Sequence, residues 1–359
     1  MMFKNAYGVR TRVRRRTLLS ATTVLLVGGM LTACGSGSEP AASGDTGGTS
    51  TVRETLQIAI ARPSDGFHTL LADIAMKKGY FKDEGFDVSM PTLGGDAGVI
   101  PAIASGSVQF AISTATPFLI AKQKGAKAQM ISPMATYPEQ LVLREDIAKK
   151  LGITDSTDLA TKVSTLKGRS IGVASLGGGL MYQLQAVLNT YNVDPKTMQM
   201  VAIKPYTAMI AALKRGDVEA IAPAAPYGTW AVEEKLGVMI ADVNLGEVPS
   251  LKNGVFEVMS VNSEWVKDHP DAVDRMRAAL QKAMDFLHSD PKAAAEIEGG
   301  ILSGIDLSII ETSMGDGMGF PTKASITQEQ FDGIQHFNEI SGEDTKSVKF
   351  QDAVWPPEK

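Results

Sequence analysis

Several stretches of this chain pair reactive residue types with a suggestive spacing. Gly168-Arg169-Ser170-Ile171-Gly172 matches G-x-S-x-G, the pattern of a nucleophilic serine held on a sharp strand-to-helix turn. Here Ser170 opens the apolar run "SIGVA", which reads as a strand, so its hydroxyl belongs to a sheet and not to a turn. "SLGGGLMY" sets Gly177, Gly178 and Gly179 ahead of a helical pattern. It lacks Gly-Lys-Ser/Thr, and Tyr182 stands at the third glycine position of a dinucleotide fingerprint, so neither phosphate-cradling motif is complete. The histidines, His68, His269, His288 and His336, have no metal-ligand spacing. The single cysteine, Cys34, excludes an intramolecular disulfide and a cysteine-rich zinc site. No catalytic residue, metal or cofactor is therefore expected.

A different feature recurs: a loop between the end of a strand and the start of a helix. Pro63-Ser64-Asp65-Gly66-Phe67-His68 follows "LQIAIA". Ser113-Thr114-Ala115-Thr116 follows "VQFAI", with Thr116 expected as N-cap and Pro117 as the first helical residue. Ser175 to Gly179 follows "SIGVA", and Pro223-Ala224-Ala225-Pro226-Tyr227 follows "VEAIA". In open α/β sheets, ligands bind beyond the carboxyl ends of the strands, where helix starts offer free N–H groups. The expected polar contacts are Ser64, His68, Ser113, Thr114, Ser175 and the amides of Gly177, Gly178 and Gly179. Phe67, Tyr182, Tyr206, Pro226 and Tyr227 are the expected apolar walls. Lys204 ends "MQMVAIK" and reads as a solvated lysine in preference to an anion partner. Hydroxyls, amides and helix starts without an arginine suit a small organic anion. A neutral heterocycle stacked on tyrosines is the alternative.

These loops need elements to position them. From Thr55 onward short apolar runs alternate with helical patterns, which predicts α/β layers with largely parallel sheets. Two echoes suggest two similar lobes. "ASGSVQFAISTATPFLIAKQKGAKAQMI" and "KRGDVEAIAPAAPYGTWAVEEKLGVMIA" share one plan of glycine, strand, proline turn, helix, glycine and strand. "LVLREDIAKK" and "VMSVNSEWVKDHP" each run from a strand into an acid-bearing helix start. The chain is expected to cross between lobes near Glu139–Arg144 and Phe256–Asn262. Lobe I then combines residues 52–138 and 263–359, and lobe II is 139–262. In the last part, Leu280, Met284 and Leu287 share one helix face and read as packing.

The beginning of the chain bears on compartment. Arg10, Arg12, Arg14, Arg15 and Arg16 precede an apolar segment, Leu18 to Leu31, too short to span a bilayer. Leu31-Thr32-Ala33-Cys34-Gly35 resembles a bacterial lipobox. That resemblance implies a signal peptide over 1–33, removed before Cys34, and a lipid on Cys34 itself. Residues 34–51 are the lipidated cysteine and a Gly/Ser/Thr-rich tether. Arg15-Arg16-Thr17-Leu18-Leu19 also fits a twin-arginine signal, so the export route stays open. The whole chain has 35 Lys and Arg against 40 Asp and Glu, net −5; without the six cations of 1–33 the balance is −11. Such acidity argues against nucleic acid as a partner. No later apolar run is long enough to span a membrane.

The stretches "LADIAMKKGYFKDEGFDVSM", "AIASGSVQFAISTATPFLIAKQKG", "LKGRSIGVAS", "AALKRGDVEAIAPAAPYG" and "VNSEWVKDHPDAV", in that order, resemble the solute-binding proteins of ABC importers. The branch is that of sulfonate, nitrate and taurine, related to proteins that bind the pyrimidine precursor of thiamine. The similarity runs from about Leu56 to His288. It implies a two-lobed, hinged periplasmic-binding-protein-like fold of type II. It also implies a monomer that passes one small solute to permease subunits served by a cytoplasmic ATPase. By position, the family's ligand loops fall on Ser64–His68, Ser113–Thr114, Ser175–Gly179 and Pro223–Tyr227. An acid common after the third strand is replaced here by Ser113 and Thr114, and the Pro223 loop is unusually apolar. The fungal relatives that make the thiamine pyrimidine use clustered cysteines, which this chain lacks. The rival classes are an extracellular hydrolase or transferase on a similar scaffold, and a sensory or adhesion lipoprotein.

Overall fold

The computed structural model describes residues 54–251, 254–302, 304–315 and 319–356. The expected signal peptide, Cys34 and the tether lie outside the described residues. The strands are β1 (Leu56–Ala61), β2 (Phe86–Ser89), β3 (Phe110–Thr114), β4 (Ala128–Ala135), β5 (Gln140–Arg144), β6 (Ser170–Val173), β7 (Gln199–Ala202), β8 (Ala220–Ala222), β9 (Gly237–Asp242) and β10 (Glu257–Asn262). They form two five-stranded sheets, ordered β2-β1-β3-β10-β4 and β7-β6-β8-β5-β9.

Helical crossovers make β1 parallel to β2 and β3, and β6 parallel to β7 and β8. β10 runs antiparallel to β3 and β4, and β5 antiparallel to β8 and β9. Each sheet is therefore mainly parallel, with four strands running one way and a single strand, β10 or β5, running against them. A strand that arrives directly from the other sheet has no helix to carry it back to the starting end, so it runs against its neighbours. Both sequence echoes occupy matching places. β3 and β4 flank the helix Ala115–Gln123 as β8 and β9 flank the helix Tyr227–Glu233, and β10 stands where β5 stands in the other sheet. The chain passes between sheets at 136–139 and returns through 243–256. The expected second lobe, 139–262, thus contains one strand of the first sheet.

Each sheet packs its own core. Phe81, Phe86 and Phe110 meet the helix Ala272–Ser289 through Met276, Leu280, Met284 and Leu287, so the predicted apolar face is buried. The second core gathers Leu143, Ile171, Leu184 and Ile240. The helix Gln328–Ser341 joins both regions: Phe331 and Ile334 pack beside the first sheet, and Phe337 enters the second core. The C-terminal part is accordingly not confined to the first lobe. Gly106 and Gly216, equivalent in the echoes, both end helices in the left-handed conformation, with φ of 79° and 81°. The helix after β3 starts two residues earlier than expected. Thr114 is its N-cap, and Pro117 falls at the third position, still among the N–H groups that have no intrahelical partner. Among the described residues no helix is long and apolar enough to cross a membrane.

Candidate functional site

A cavity of about 430 Å³ lies where the carboxyl ends of strands from both sheets converge. The first sheet supplies Ser64, Asp65 and His68 after β1, Thr92, Gly94, Gly95 and Asp96 after β2, and Thr114 at the end of β3. The second supplies Ala174, Ser175, Gly178 and Gly179 after β6, Lys204 to Tyr206 after β7, and Ala224 and Tyr227 after β8. Pro138 and Glu257, at the two passages between sheets, complete the wall.

Of the residues singled out in the sequence, Ser64, His68, Thr114, Ser175, Gly178, Gly179, Tyr206 and Tyr227 line this cavity. Gly177, Ser113, Phe67, Tyr182 and Pro226 do not. Successive strand residues point to opposite faces, so Thr114 reaches the cavity and Ser113 is buried opposite Val258 of β10. Phe67 turns into the first core, its ring 6.1 Å from that of Phe320. Tyr182 packs, half-buried, against the second core. Pro226 is the N-cap residue of the helix Tyr227–Glu233, and Gly177 precedes the N-cap Gly178.

The aromatic wall is a tilted pair, Tyr206 and Tyr227, with ring centroids 4.7 Å apart at 40°. Each phenol begins a helix, and burial pushes both above their usual range. His68 Nε2 lies 3.0 Å from Ser64 Oγ. Burial is the main reason that its imidazole falls to about 4, so the ring is neutral near pH 7.

The acids of the cavity were not among the expected contacts. Asp96 opens the helix Asp96–Ser105. Its Oδ1 accepts from the Thr114 amide at 3.0 Å, and Oδ2 accepts from Thr114 Oγ1 at 2.9 Å and from the Gly179 amide at 3.3 Å. Burial raises the Asp96 carboxyl above its usual range, and the bonds from Thr114 and Gly179 and the nearby Lys204 charge offset only part of that rise. Glu257 is buried and its Oε2 has no hydrogen-bond partner among the described residues; burial, then the Asp96 charge, hold it well above the usual carboxylate range. Glu139, next to the lining Pro138, is wholly buried with neither oxygen partnered among the described residues, and burial raises it likewise. Asp65 is exposed and bound to Arg62 at 2.8 Å, and Arg62 also holds Asp73 at 2.9 Å. Lys204 is the cation in the wall; its Nζ donates to the Gly94 carbonyl at 3.4 Å.

Two of these acids had a sequence signal. Glu257 is a lone acid inside the apolar run "GVFEVMSV", and Asp96 follows a Gly-Gly loop between a strand and a helix, as the four chosen loops do. Ser170 remains in β6, where its Oγ accepts from the Glu219 amide at 3.1 Å, so the G-x-S-x-G match has no nucleophile-elbow geometry. Among the described residues no cluster of His, Cys, Asp and Glu could hold a metal ion.

The profile of the NMT1-like family matches residues 54–301. The chain belongs to that family. The match takes in every cavity-lining residue and stops short of the helix Gln328–Ser341. One relative is YtlA of Bacillus subtilis (strain 168), whose name assigns it no more than a binding role. It is 23% identical over 297 residues, covering 78% of this chain and 82% of its own. A second is the Saccharomyces cerevisiae 4-amino-5-hydroxymethyl-2-methylpyrimidine phosphate synthase THI13, 25% identical over 229 residues, 62% of this chain and 64% of its own. Among solved structures, the alkanesulfonate-binding protein SsuA of Xanthomonas axonopodis pv. citri, bound to MOPS, superposes with a TM-score of 0.66 at 16% identity. That match covers 84% of this chain and 99% of SsuA. The fold of this NMT1-like chain is that of the periplasmic binding proteins.

Proposed function

We propose that the protein is the extracytoplasmic solute receptor of an ABC importer, and that its solute is a small ring carrying N–H donors or positive charge. The binding proteins among its relatives support the receptor part. The ligand class rests on one observation: the buried, unpartnered Oε2 of Glu257 in the cavity wall, with Asp96 and Asp65 in the same wall and the Tyr206–Tyr227 pair beside them. A solute N–H would satisfy Glu257, and a positively charged solute would draw its carboxyl into the ionised form, where such a hydrogen bond contributes about 1.5–3 kcal/mol. The tyrosines would stack on the ring. An aminopyrimidine of the thiamine-precursor type has this combination of donors and aromatic faces. In this reading the protein is tied to the membrane by lipid on Cys34 and hands its solute to permease subunits with a cytoplasmic ATPase.

A small organic anion, of the sulfonate, taurine or nitrate class, is the second reading. Lys204 and the hydroxyls of Ser64 and Ser175 in the wall favour it. The acids outnumber that single lysine, which is why the first reading is preferred. Chemistry on the solute is not part of the proposal, because Ser170 is tied into a sheet and the chain has one cysteine, at position 34.

A thermal-shift screen over aminopyrimidines, other cationic heterocycles, sulfonates, nitrate and carboxylates tests both parts. A solute at a hundred-fold excess over its Kd stabilises the folded chain by about 2.7 kcal/mol. Stabilisation by an aminopyrimidine, bound one to one without turnover, is the expected result. A response confined to sulfonates would overturn the ligand class, and turnover of the bound compound would overturn the receptor reading.

A further inference from the structure

Asp96 sits at a place that the sequence reserved for the solute. The helix Gly179–Thr190 begins at the cavity, and its first amide was an expected anion contact. In the structure that amide donates to Asp96, which comes from the other sheet's side of the cavity. Two further bonds, from the amide and hydroxyl of Thr114, hold the carboxylate in position. The approach is close: a Cβ at Gly179 would lie 2.3 Å from Thr114 Cγ2, so any side chain there would push the two sides apart. The same loop is held a second time, where Lys204 Nζ reaches the Gly94 carbonyl.

We propose that Asp96 determines the charge of the solute: its carboxylate fills the anion seat at the start of the Gly179 helix, and in doing so fastens the two sides of the cavity together. This rests on the reading of the cavity as the solute site. A sulfonate or carboxylate entering the cavity meets an amide already engaged and a negative charge beside it. A solute with N–H donors meets an acceptor. The loop after β2 thus acts as a built-in counter-ligand, set by a residue of this chain and not by the solute.

The test uses ethanesulfonate as the probe, with calorimetry on wild-type protein, Asp96→Ser and Asp96→Asn. Opening the seat is expected to let Asp96→Ser bind ethanesulfonate at least ten-fold more tightly than wild type. Asp96→Asn, which keeps the shape and loses the charge, should fall between them. Thr114→Val removes one of the donors that hold the carboxylate and should shift affinity the same way by a smaller factor. Equal affinity in wild type and all three variants, or no binding by any of them, would overturn the assignment. Small-angle scattering of the solute-free proteins reads the fastening separately. A larger radius of gyration is expected for Asp96→Asn, with circular dichroism confirming an intact fold, and an unchanged radius would overturn that part. Neither readout uses the natural solute. If the receptor reading itself fails, the solute screen on wild-type protein comes out empty while the scattering difference persists.

Discussion

Glu257 shows how a single side chain can work against stability and for binding. A carboxyl whose folded pKa is raised contributes most below its unfolded pKa and loses that contribution as pH rises through the folded value. Glu257, Glu139 and Glu298 are all held well above the usual range by burial, and Asp73 and Asp242 are raised to about 6. His68 acts in the opposite sense. Lowered to about 4, it contributes fully above pH 6.5 and loses that contribution as pH falls toward 4. The carboxyls are the more numerous, so the melting temperature of solute-free protein is expected to rise from pH 8 to pH 5.5. A fall over that interval would mean that these acids are solvated or paired. Glu257→Gln keeps the shape and removes the charge. It should stabilise the protein by roughly 1–2 kcal/mol at pH 8, with little effect at pH 5. Solute affinity should drop by about ten-fold or more, because a charge-assisted bond is lost. Melting curves at the two pH values and a binding isotherm check both halves.

Among the elements, the helix Gln328–Ser341 has the clearest local signature and the least local role. Thr327 and Gln330 form a capping box: the Gln330 amide donates to Thr327 Oγ1 at 3.1 Å and the Thr327 amide donates to Gln330 Oε1 at 2.9 Å. Thr327→Ala should cost about 1 kcal/mol in urea unfolding, the usual loss for an N-cap hydroxyl. Because Phe337 enters the second core while Phe331 and Ile334 pack beside the first sheet, this helix couples the two halves. The loss should therefore appear as a shift of one transition and not as early melting of one half. A second, separate transition in Thr327→Ala would refute that coupling. Leu280 in the helix Ala272–Ser289 is wholly buried in the first core, and Leu280→Ala should cost about 2–5 kcal/mol.

For the whole molecule, the two passages between the sheets, at 136–139 and over the described residues 243–251 and 254–256, are the places where a hinge rotation could be absorbed. Solute binding is expected to leave the radius of gyration of Asp96→Asn, the variant expected to rest more open, close to that of the wild type. Tight binding by that variant with no contraction would argue for a rigid site. The anchor is a separate matter, since Cys34 precedes all described residues. Full-length protein made in a lipid-modifying host should partition into detergent, and Cys34→Ala should stay in the aqueous phase. Aqueous partitioning of both would remove the lipoprotein reading.

The strands, the glycine helix ends and the loops that open on the cavity were legible because each depends on a few neighbouring residues: a run of apolar side chains, a left-handed glycine, a small residue before a helix. The echoes revealed the matching halves for the same reason, since each is a contiguous stretch. Other features depend on sheet order. β10 lies next to β3 although well over a hundred residues separate them, so its exchange into the first sheet leaves no local mark. Asp96 and Gly179 are 83 positions apart and meet only because β2 and β6 end at the same cavity. Which face of each loop looks inward followed from strand alternation and helix phase, which separate Thr114 from Ser113 and His68 from Phe67. The sequence by itself marked the strand-to-helix loops after β1, β3, β6 and β8, because each is a contiguous stretch of small and polar residues. Tertiary structure decided the charge of the cavity, because Asp65, Asp96 and Glu257 follow or open β1, β2 and β10, three strands far apart in the chain that only the strand order of the first sheet brings to one cavity wall.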